Sequence, residues 1–375
     1  MLQHPRPVAA DTLTLRQINR ATLSRQMLLA RERVPAVRAV ERLVAMQAQW
    51  PRPPFLGLWS RVDGFARADL KALLRDKKVV RATFLRGTLH LVTAKDFLAL
   101  RPALQAMLDA GVHTILGARA VELDFDDLVA RARAVLAKGP RTFEELRGVL
   151  TRPKENDRAV GYAVRMMLPL VQVPVGDDAP WAFPAVSQFA LAEKWLGRAL
   201  PRSAPATVND VLVRRYLAAY GPASAADIHA WCGLAELRAA MGSLRSRLRV
   251  FRDEKARELV DLPDAPRPDP GVPAPVRLVP EYDNLITTRA DERFVAKRDR
   301  PRVFLSALRI AATVLVDGFV AGTWKLERTK SAATLTIVPF APFAPRVRKE
   351  VEAEAEALVR FAEPDARAFA TRIAK

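Results

Sequence analysis

One cysteine in 375 residues excludes an internal disulfide, and Cys232 alone cannot form a thiolate cluster for zinc or an iron–sulfur centre. Histidine is also scarce: His4, His90, His113 and His229 are scattered and share no metal-ligand spacing, so no metal site is expected. Long apolar runs are missing as well; none approaches the roughly 18–20 residues that a membrane span requires. Residues Met1 to Asp11 carry Arg6 but no hydrophobic segment, so no secretory signal is expected and the chain reads as cytoplasmic. Walker A, GxGxxG and GxSxG patterns are absent too, and no cofactor is implied.

Basic residues are abundant. Sixty Lys and Arg stand against 41 Asp and Glu, a formal charge of +19. Such a surplus favours a polyanion as partner, with binding that weakens as salt rises. A bias toward Arg, Ala and Pro in the coding genome would also raise the charge. Membrane-surface binding fits less well, because the basic residues are spread along the chain instead of being gathered on one amphipathic helix. Half the residues are hydrophobic, and the length suffices for two or three domains with cores of their own.

The pattern is helix-rich to about Leu248. Pro263 to Pro275 (PDAPRPDPGVPAP) cannot be helix or central strand and reads as a linker. Short alternating strands follow. Thr313–Val316, then Asp317-Gly318, then Phe319–Trp324 predicts a hairpin, because Asp-Gly supplies the positive φ angles of a type I′ turn. Leu335–Val338 extends that sheet, and Val347–Phe361 reads as a final helix anchored by Val351, Leu358 and Phe361.

An internal repeat organises the rest. Gly139-Pro140-Arg141-Thr142 and Gly221-Pro222-Ala223-Ser224 each stop one helix and start another, with Thr or Ser as N-cap and an acidic residue three positions on. Before them lie amphipathic helices, Asp126–Lys138 (Leu128, Ala132 and Val135 inward) and Val208–Tyr220 (Val211, Leu212 and Tyr216 inward). After them come third helices, Ala159–Leu168 and Leu234–Leu248. Strand pairs close each copy: Leu170–Val175 with Trp181–Phe183, and Arg249–Arg252 with Glu258–Leu262. Helix, turn, capped helix, third helix and β-wing is the winged-helix plan. A looser copy fits the N-terminal part: helices Leu15–Leu29, Val34–Gln47 and Arg67–Arg75, then Val79–Leu85 and Thr88–Thr93 around Gly87. The expected fold class is therefore α+β and helix-rich, with three tandem winged-helix units plus a C-terminal β-rich unit. The bounds are 1–98, 99–200, 201–262 and 276–375, with 263–275 as linker. Winged helices also serve protein contacts; the charge and the several copies favour duplex DNA as partner.

Leu43-Val44-Ala45-Met46-Gln47-Ala48-Gln49-Trp50-Pro51 is unusual. A helix burying Val40, Leu43 and Met46 runs into two glutamines two positions apart, which do not face each other on a continuous helix. Pro51 pushes Trp50 out of helical geometry, so the helix is expected to end near Gln49. Its unwinding end would let both carboxamides turn into one pocket, or they could simply cap the last carbonyls. The residues by themselves favour capping.

Gln47-Ala48-Gln49, Arg86-Gly87-Thr88-Leu89-His90-Leu91-Val92, Tyr220-Gly221-Pro222-Ala223, Pro280-Glu281-Tyr282-Asp283 and Val316-Asp317-Gly318-Phe319-Val320-Ala321-Gly322-Thr323-Trp324 occur in that order. This ordered set resembles the winged-helix family of the azinomycin-resistance (AlkZ-like) DNA glycosylases, over nearly the whole chain. The resemblance implies three tandem winged helices and a β-rich unit closing around duplex DNA, with Gln47 and Gln49 as the catalytic pair. A related branch has a carboxylate at the second motif position, which is Gln49 here. The implied function is a monofunctional DNA glycosylase that hydrolyses the N-glycosidic bond of cationic alkylated purines, interstrand cross-links included, as a nucleoid-associated monomer. The alternatives are a non-catalytic winged-helix transcriptional regulator and an architectural DNA-binding protein. No dimerisation heptad or ligand domain supports a regulator.

Other candidates for DNA contact are Trp50, Arg52, Arg86, Thr88, His90, Arg298, Arg300 and Arg302. Trp50 is expected to pack in the core, with stacking near the lesion as the alternative. Arg86, beside Gly87, reads as a wing-tip phosphate contact. Thr88 and His90 share one strand face and Leu89 and Leu91 the other; His90 could meet a phosphate, help seat water, or be a satisfied core histidine. Lys297-Arg298-Asp299-Arg300-Pro301-Arg302 reads as a backbone clamp or as a solvated loop.

Overall fold

A computed structural model describes residues 11–121, 123–201, 207–234, 236–288, 291–306 and 308–374. Most of the segment read above for a secretory signal thus lies outside the described residues. The chain is a mixed α+β fold, rich in helix, with three sheets.

The repeat is real at the level of local chemistry. Phe125–Ala137, Phe143–Leu150 and Asp157–Met167 form one helical triplet, and Val208–Tyr220, Ala225–Cys232 and Leu237–Leu244 the other. Both middle helices begin with the expected capping box. Thr142 N donates to Glu145 at 2.7 Å while Glu145 N donates back to the Thr142 hydroxyl at 3.1 Å. Ser224 and Asp227 repeat the exchange at 3.0 and 3.2 Å. Each box satisfies backbone donors that no helical carbonyl reaches. The inward faces differ slightly from expectation. Leu136 is buried where Val135 was expected to be, and Val211 is 41% exposed while Val208, Leu212 and Val213 are buried.

The strand pairs do not remain separate. Val79–Thr83 and Leu89–Thr93 form the first hairpin, and Ala82 pairs with Val171 of strand Leu170–Gln172. That contact joins the N-terminal hairpin and the strands around the first triplet into one antiparallel sheet, ordered Met46–Gln47, Leu89–Thr93, Val79–Thr83, Leu170–Gln172, Gln188–Leu191, Arg141–Thr142. Leu170–Gln172 therefore takes Gln188–Leu191 as its partner, not Trp181–Phe183. The latter makes only the bridge Gly176–Ala182, and Trp181 and Phe183 pack into a neighbouring core instead. Arg249–Asp253 pairs with Glu258–Asp261 as expected, and Asp11–Leu13 joins it in parallel.

The C-terminal sheet holds Arg277–Val279, Ala312–Val316, Phe319–Arg328 and Ala332–Pro339 in antiparallel order, then Ala368–Ile373 in parallel. Asp317 and Gly318 have φ of 47° and 83°, the positive pair that the turn requires. Helix Pro345–Ala362 makes the crossover that a parallel pair needs, burying Val351, Ala355, Leu358 and Val359 on the sheet.

The first helix and residues 263–275 are tied to each other. Helix Leu15–Arg25 buries Asn19, Arg20, Thr22 and Arg25, a polar face. Arg25 makes a two-pronged bond to Asp261, both at 2.7 Å and both side chains essentially unexposed. Asn19 donates to Arg293 O and Gly318 O, Arg16 to Pro270 O, and Arg20 to Val272 O and to Asp317. Residues 263–275 are irregular, as expected, but these arginines fasten them to the first helix, so they do not behave as a free linker. Breaking a buried pair by removing one partner leaves an uncompensated charge, which costs about 3–5 kcal/mol. Asp261→Asn should lower unfolding free energy by about that much in urea melts, whereas Glu258→Gln, at the exposed pair with Arg245, should change it by less than about 1 kcal/mol. Equal effects from the two would show that the buried pair contributes nothing special.

Candidate active site

The glutamines are not at a helix end. Helix Ala36–Arg42 stops well before them, because Val44 takes φ +67°, a left-handed conformation that a β-branched residue rarely adopts. The chain then turns into strand Met46–Gln47, at the edge of the six-stranded sheet, with Met46 opposite Leu91 and Gln47 opposite His90. Ala48 N continues the ladder to Leu89 O at 2.7 Å. In extended chain, residues two apart point to the same side, so the Gln-x-Gln spacing suits a strand as it could not suit a helix. Pro51 does not merely end a helix; it starts a new one, Arg52–Trp59.

Two arginines, buried Arg81 and half-buried Arg86, hold this strand. Arg81 donates from Nε to Ala48 O at 2.9 Å and from Nη2 to Gln49 O at 3.0 Å; its Nη1 meets Gln172 Oε1, and it lies over the Phe183 ring. Arg86 has an enclosed guanidinium: Nη2 donates to Gln47 Oε1 at 2.9 Å and lies 3.5 Å from Asn284 Oδ1, while Nη1 meets Trp231 O. Burial pushes both pKa values down to about 10, so both stay charged at neutral pH. Arginine has donors only, which fixes the orientation of the Gln47 amide with oxygen toward Arg86 and the NH2 group away.

Gln47 lines a crevice with Gln26, Arg61, Pro280, Glu281, Asp283 and Asn284. Its free space is about 10 Å³, enough for roughly one water. Arg61 and Asp283 neutralise each other through two bonds of 2.9 Å, and Asn284 Nδ2 donates to Ala45 O at 2.9 Å. Arg52 binds Glu281 Oε1 at 3.0 Å. Gln49 is half-buried, and its carboxamide makes no hydrogen bond among the described residues.

Several expected positions change. Trp50 is 62% exposed, not core, because the turn into Pro51 carries it off the sheet. Arg86 does not reach outward from a wing tip; at φ +54° it turns its side chain inward, and neighbouring Gly87 leaves no room for a Cβ, which would sit 2.6 Å from Met166 Cε. Thr88 is half-buried and bonds Leu85 O. His90 is fully buried and out of reach of a phosphate at the surface; Nδ1 lies 3.0 Å from Thr88 O and Nε2 has no partner among the described residues. Arg298, Arg300 and Arg302 lie on the turn and short helix Lys297–Asp299 and Arg300–Val303. Arg298 extends into solvent, whereas Arg300 and Arg302 stack over Phe304 and Phe340. Sequence reasoning assigned no role to Arg81, Arg61, Glu281, Asp283 or Asn284. Only the Pro280–Asp283 quartet carried a signal, as a landmark of the resemblance.

The family described as DNA glycosylase AlkZ-like matches residues 40–361, most of the chain and all of this site. The chain belongs to the AlkZ-like DNA glycosylase family. It is 25% identical to an interstrand DNA cross-link repair glycosylase from Streptomyces sahachiroi, covering 92% of this chain and 95% of the relative. The solved structure of Streptomyces sahachiroi DNA glycosylase AlkZ superposes with a TM-score of 0.76 at 23% identity, covering 97% of this chain and all of that one. Among the described residues no helix is long and apolar enough to cross a membrane.

His90 carries a testable pH signature. Burial, with the Arg86 charge adding to it, pushes its pKa from 6.5 down to about 3. The unfolded chain therefore binds a proton below pH 6.5 that the folded chain refuses until about pH 3. Stability from this group is complete above 6.5 and is lost as pH falls, by up to about 1.4 kcal/mol per pH unit. His90→Gln should flatten urea-derived stability between pH 6 and 4 by one proton's worth. An unchanged slope would mean that His90 titrates alike in both states.

Proposed function

We propose that this protein is a monofunctional DNA glycosylase that removes cationic alkylated purines, N7-alkylguanines and cross-links through N7 among them, from duplex DNA. The observation that carries this reading is the Gln47 carboxamide, oriented by Arg86 at the edge of a crevice sized for one water. Hydrolysis of a glycosidic bond passes through an oxocarbenium-like state. A purine alkylated at N7 leaves as a neutral molecule and needs no general acid. The remaining tasks are to place a water and to steady positive charge on the sugar. Gln47 has an amide NH2 and one oxygen lone pair left for substrate or water, and Gln49 has its whole carboxamide available. Trp50, exposed three residues past the strand, is placed to stack on a base. Thr88 and His90 support the Gln47 strand from its neighbour.

The three helical repeats, with the bounds 1–98, 99–200 and 201–262, act in this reading as winged-helix units and, with unit 276–375, flank the duplex. Arg52, Arg298, Arg300 and Arg302 serve as phosphate contacts, and the +19 charge supplies affinity that falls with salt. The protein works as a monomer in the cytoplasm, on the nucleoid, without a cofactor. No lysine lines the crevice, which supports hydrolysis without a covalent imine.

The test is incubation with duplex DNA carrying N7-methylguanine or an N7 cross-link, with detection of free base and abasic sites. Free alkylated base should appear, and Gln47→Ala and Gln49→Ala should each slow release about 100-fold or more while keeping DNA affinity. Borohydride should trap no protein–DNA adduct. Binding without base release would instead make the protein a regulator or an architectural factor. Equal release of neutral oxidised bases would overturn the leaving-group restriction.

A further inference from the structure

From the crevice chemistry we infer that Glu281 is a catalytic residue, the base that takes the proton of the attacking water; this rests on the glycosylase reading above. Four carboxylate or carboxamide groups besides Gln47 line this space: Gln26, Asp283, Glu281 and Asn284. Gln26 is spent, its Nε2 donating to Ala219 O at 2.7 Å and its Oε1 accepting from Arg61 at 3.2 Å. Asp283 is spent. Its two oxygens bind Arg61 at 2.9 Å each, and Oδ1 also accepts from Leu285 N. Asn284 is spent likewise between Ala45 O and Arg86.

Glu281 differs. Arg52 holds Oε1 at 3.0 Å, while Oε2 is buried with no hydrogen-bond partner among the described residues. A buried carboxylate oxygen without a donor is costly, so it calls for a reason to persist. The backbone shows a second sign of constraint. Tyr282 sits at φ +60°, a left-handed conformation between the two acidic residues, and such strain is held where a side chain must be aimed. Pro280 before it and the Asp283-capped helix Asn284–Thr287 after it fix the turn from both sides.

The step balances without any further reactant. Water oxygen bonds to C1′ as the C1′–N9 pair departs onto the alkylated purine, which becomes neutral. The water proton passes to Glu281 Oε2, and the sugar keeps the hydroxyl as an abasic hemiacetal. Solvent then recovers the proton. A carboxamide has no basicity for this transfer at neutral pH, whereas a carboxylate has. An anion there also favours positive charge building on the sugar.

Single-turnover release of N7-methylguanine from duplex DNA, measured at neutral pH and corrected for spontaneous loss, tests this. Glu281→Gln keeps shape and removes basicity. It should slow release about 100-fold or more, with DNA affinity unchanged. Glu281→Asp should restore part of the rate. Release within threefold of wild type in Glu281→Gln, or no recovery in a folded, DNA-binding Glu281→Asp, overturns the assignment while leaving the glycosylase reading intact. Absence of release by the unaltered protein would instead sink that reading.

Discussion

A single guanidinium holds the candidate site together. Arg86 donates to Gln47 on the edge strand, to Trp231 O at the end of the capped helix Ala225–Cys232, and toward Asn284 beside the C-terminal sheet. These acceptors lie far apart in sequence, and none is a carboxylate. A charge enclosed with neutral partners persists only if its donors are well matched, because desolvation is repaid bond by bond. The arrangement is correspondingly intolerant. Moving any one of the three segments would strand a donor, so the position of Gln47 is coupled to the packing of both other parts. Gly87 contributes by letting Met166 close against the turn that aims the arginine.

The crevice around Gln47 is a set of charges that cancel locally. Arg61 is matched by Asp283 and Arg52 by Glu281, while Arg81 and Arg86 are satisfied mainly by carbonyl and carboxamide oxygens. Chemistry in such a place depends on how each donor and acceptor is pointed rather than on net charge. The sheet edge is rigid enough for this, since the strand is bonded to Leu89–Thr93 on one side and clamped by Arg81 through its carbonyls.

What the sequence made legible was local. The Ser and Thr caps, the Asp-Gly hairpin and the apolar anchors of the last helix rest on chemistry within a few residues, and each was found where the residues put it. The helix stop before Gln47 was misplaced by several residues because its cause is tertiary: Val44 is forced left-handed so that the next residues can pair with Leu89–Thr93. The same holds for Arg86, whose neighbour Gly87 suggested an exposed tip but whose acceptors come from distant segments. Trp181–Phe183 looked like a wing strand by composition and proved to be core filler, since β propensity does not distinguish the two. Glu281 carried no local signal for its place in the crevice, because neither the left-handed Tyr282 nor the proximity to Gln47 is written in neighbouring residues.

The polar helix Leu15–Arg25 has a consequence in time. Its arginines and asparagine find their partners in Asp261, residues 266–272, Asp317 and Gly318, up to about 300 positions downstream. At the ~5–20 residues per second of ribosomal synthesis, the interval before Asp317 is made is about 15–60 s. During that interval the first helix lacks the acceptors on Asp317 and Gly318 that its arginines and asparagine require. The N-terminal segment, made first, is therefore completed among the last, and the nascent chain spends most of its synthesis with that helix undocked.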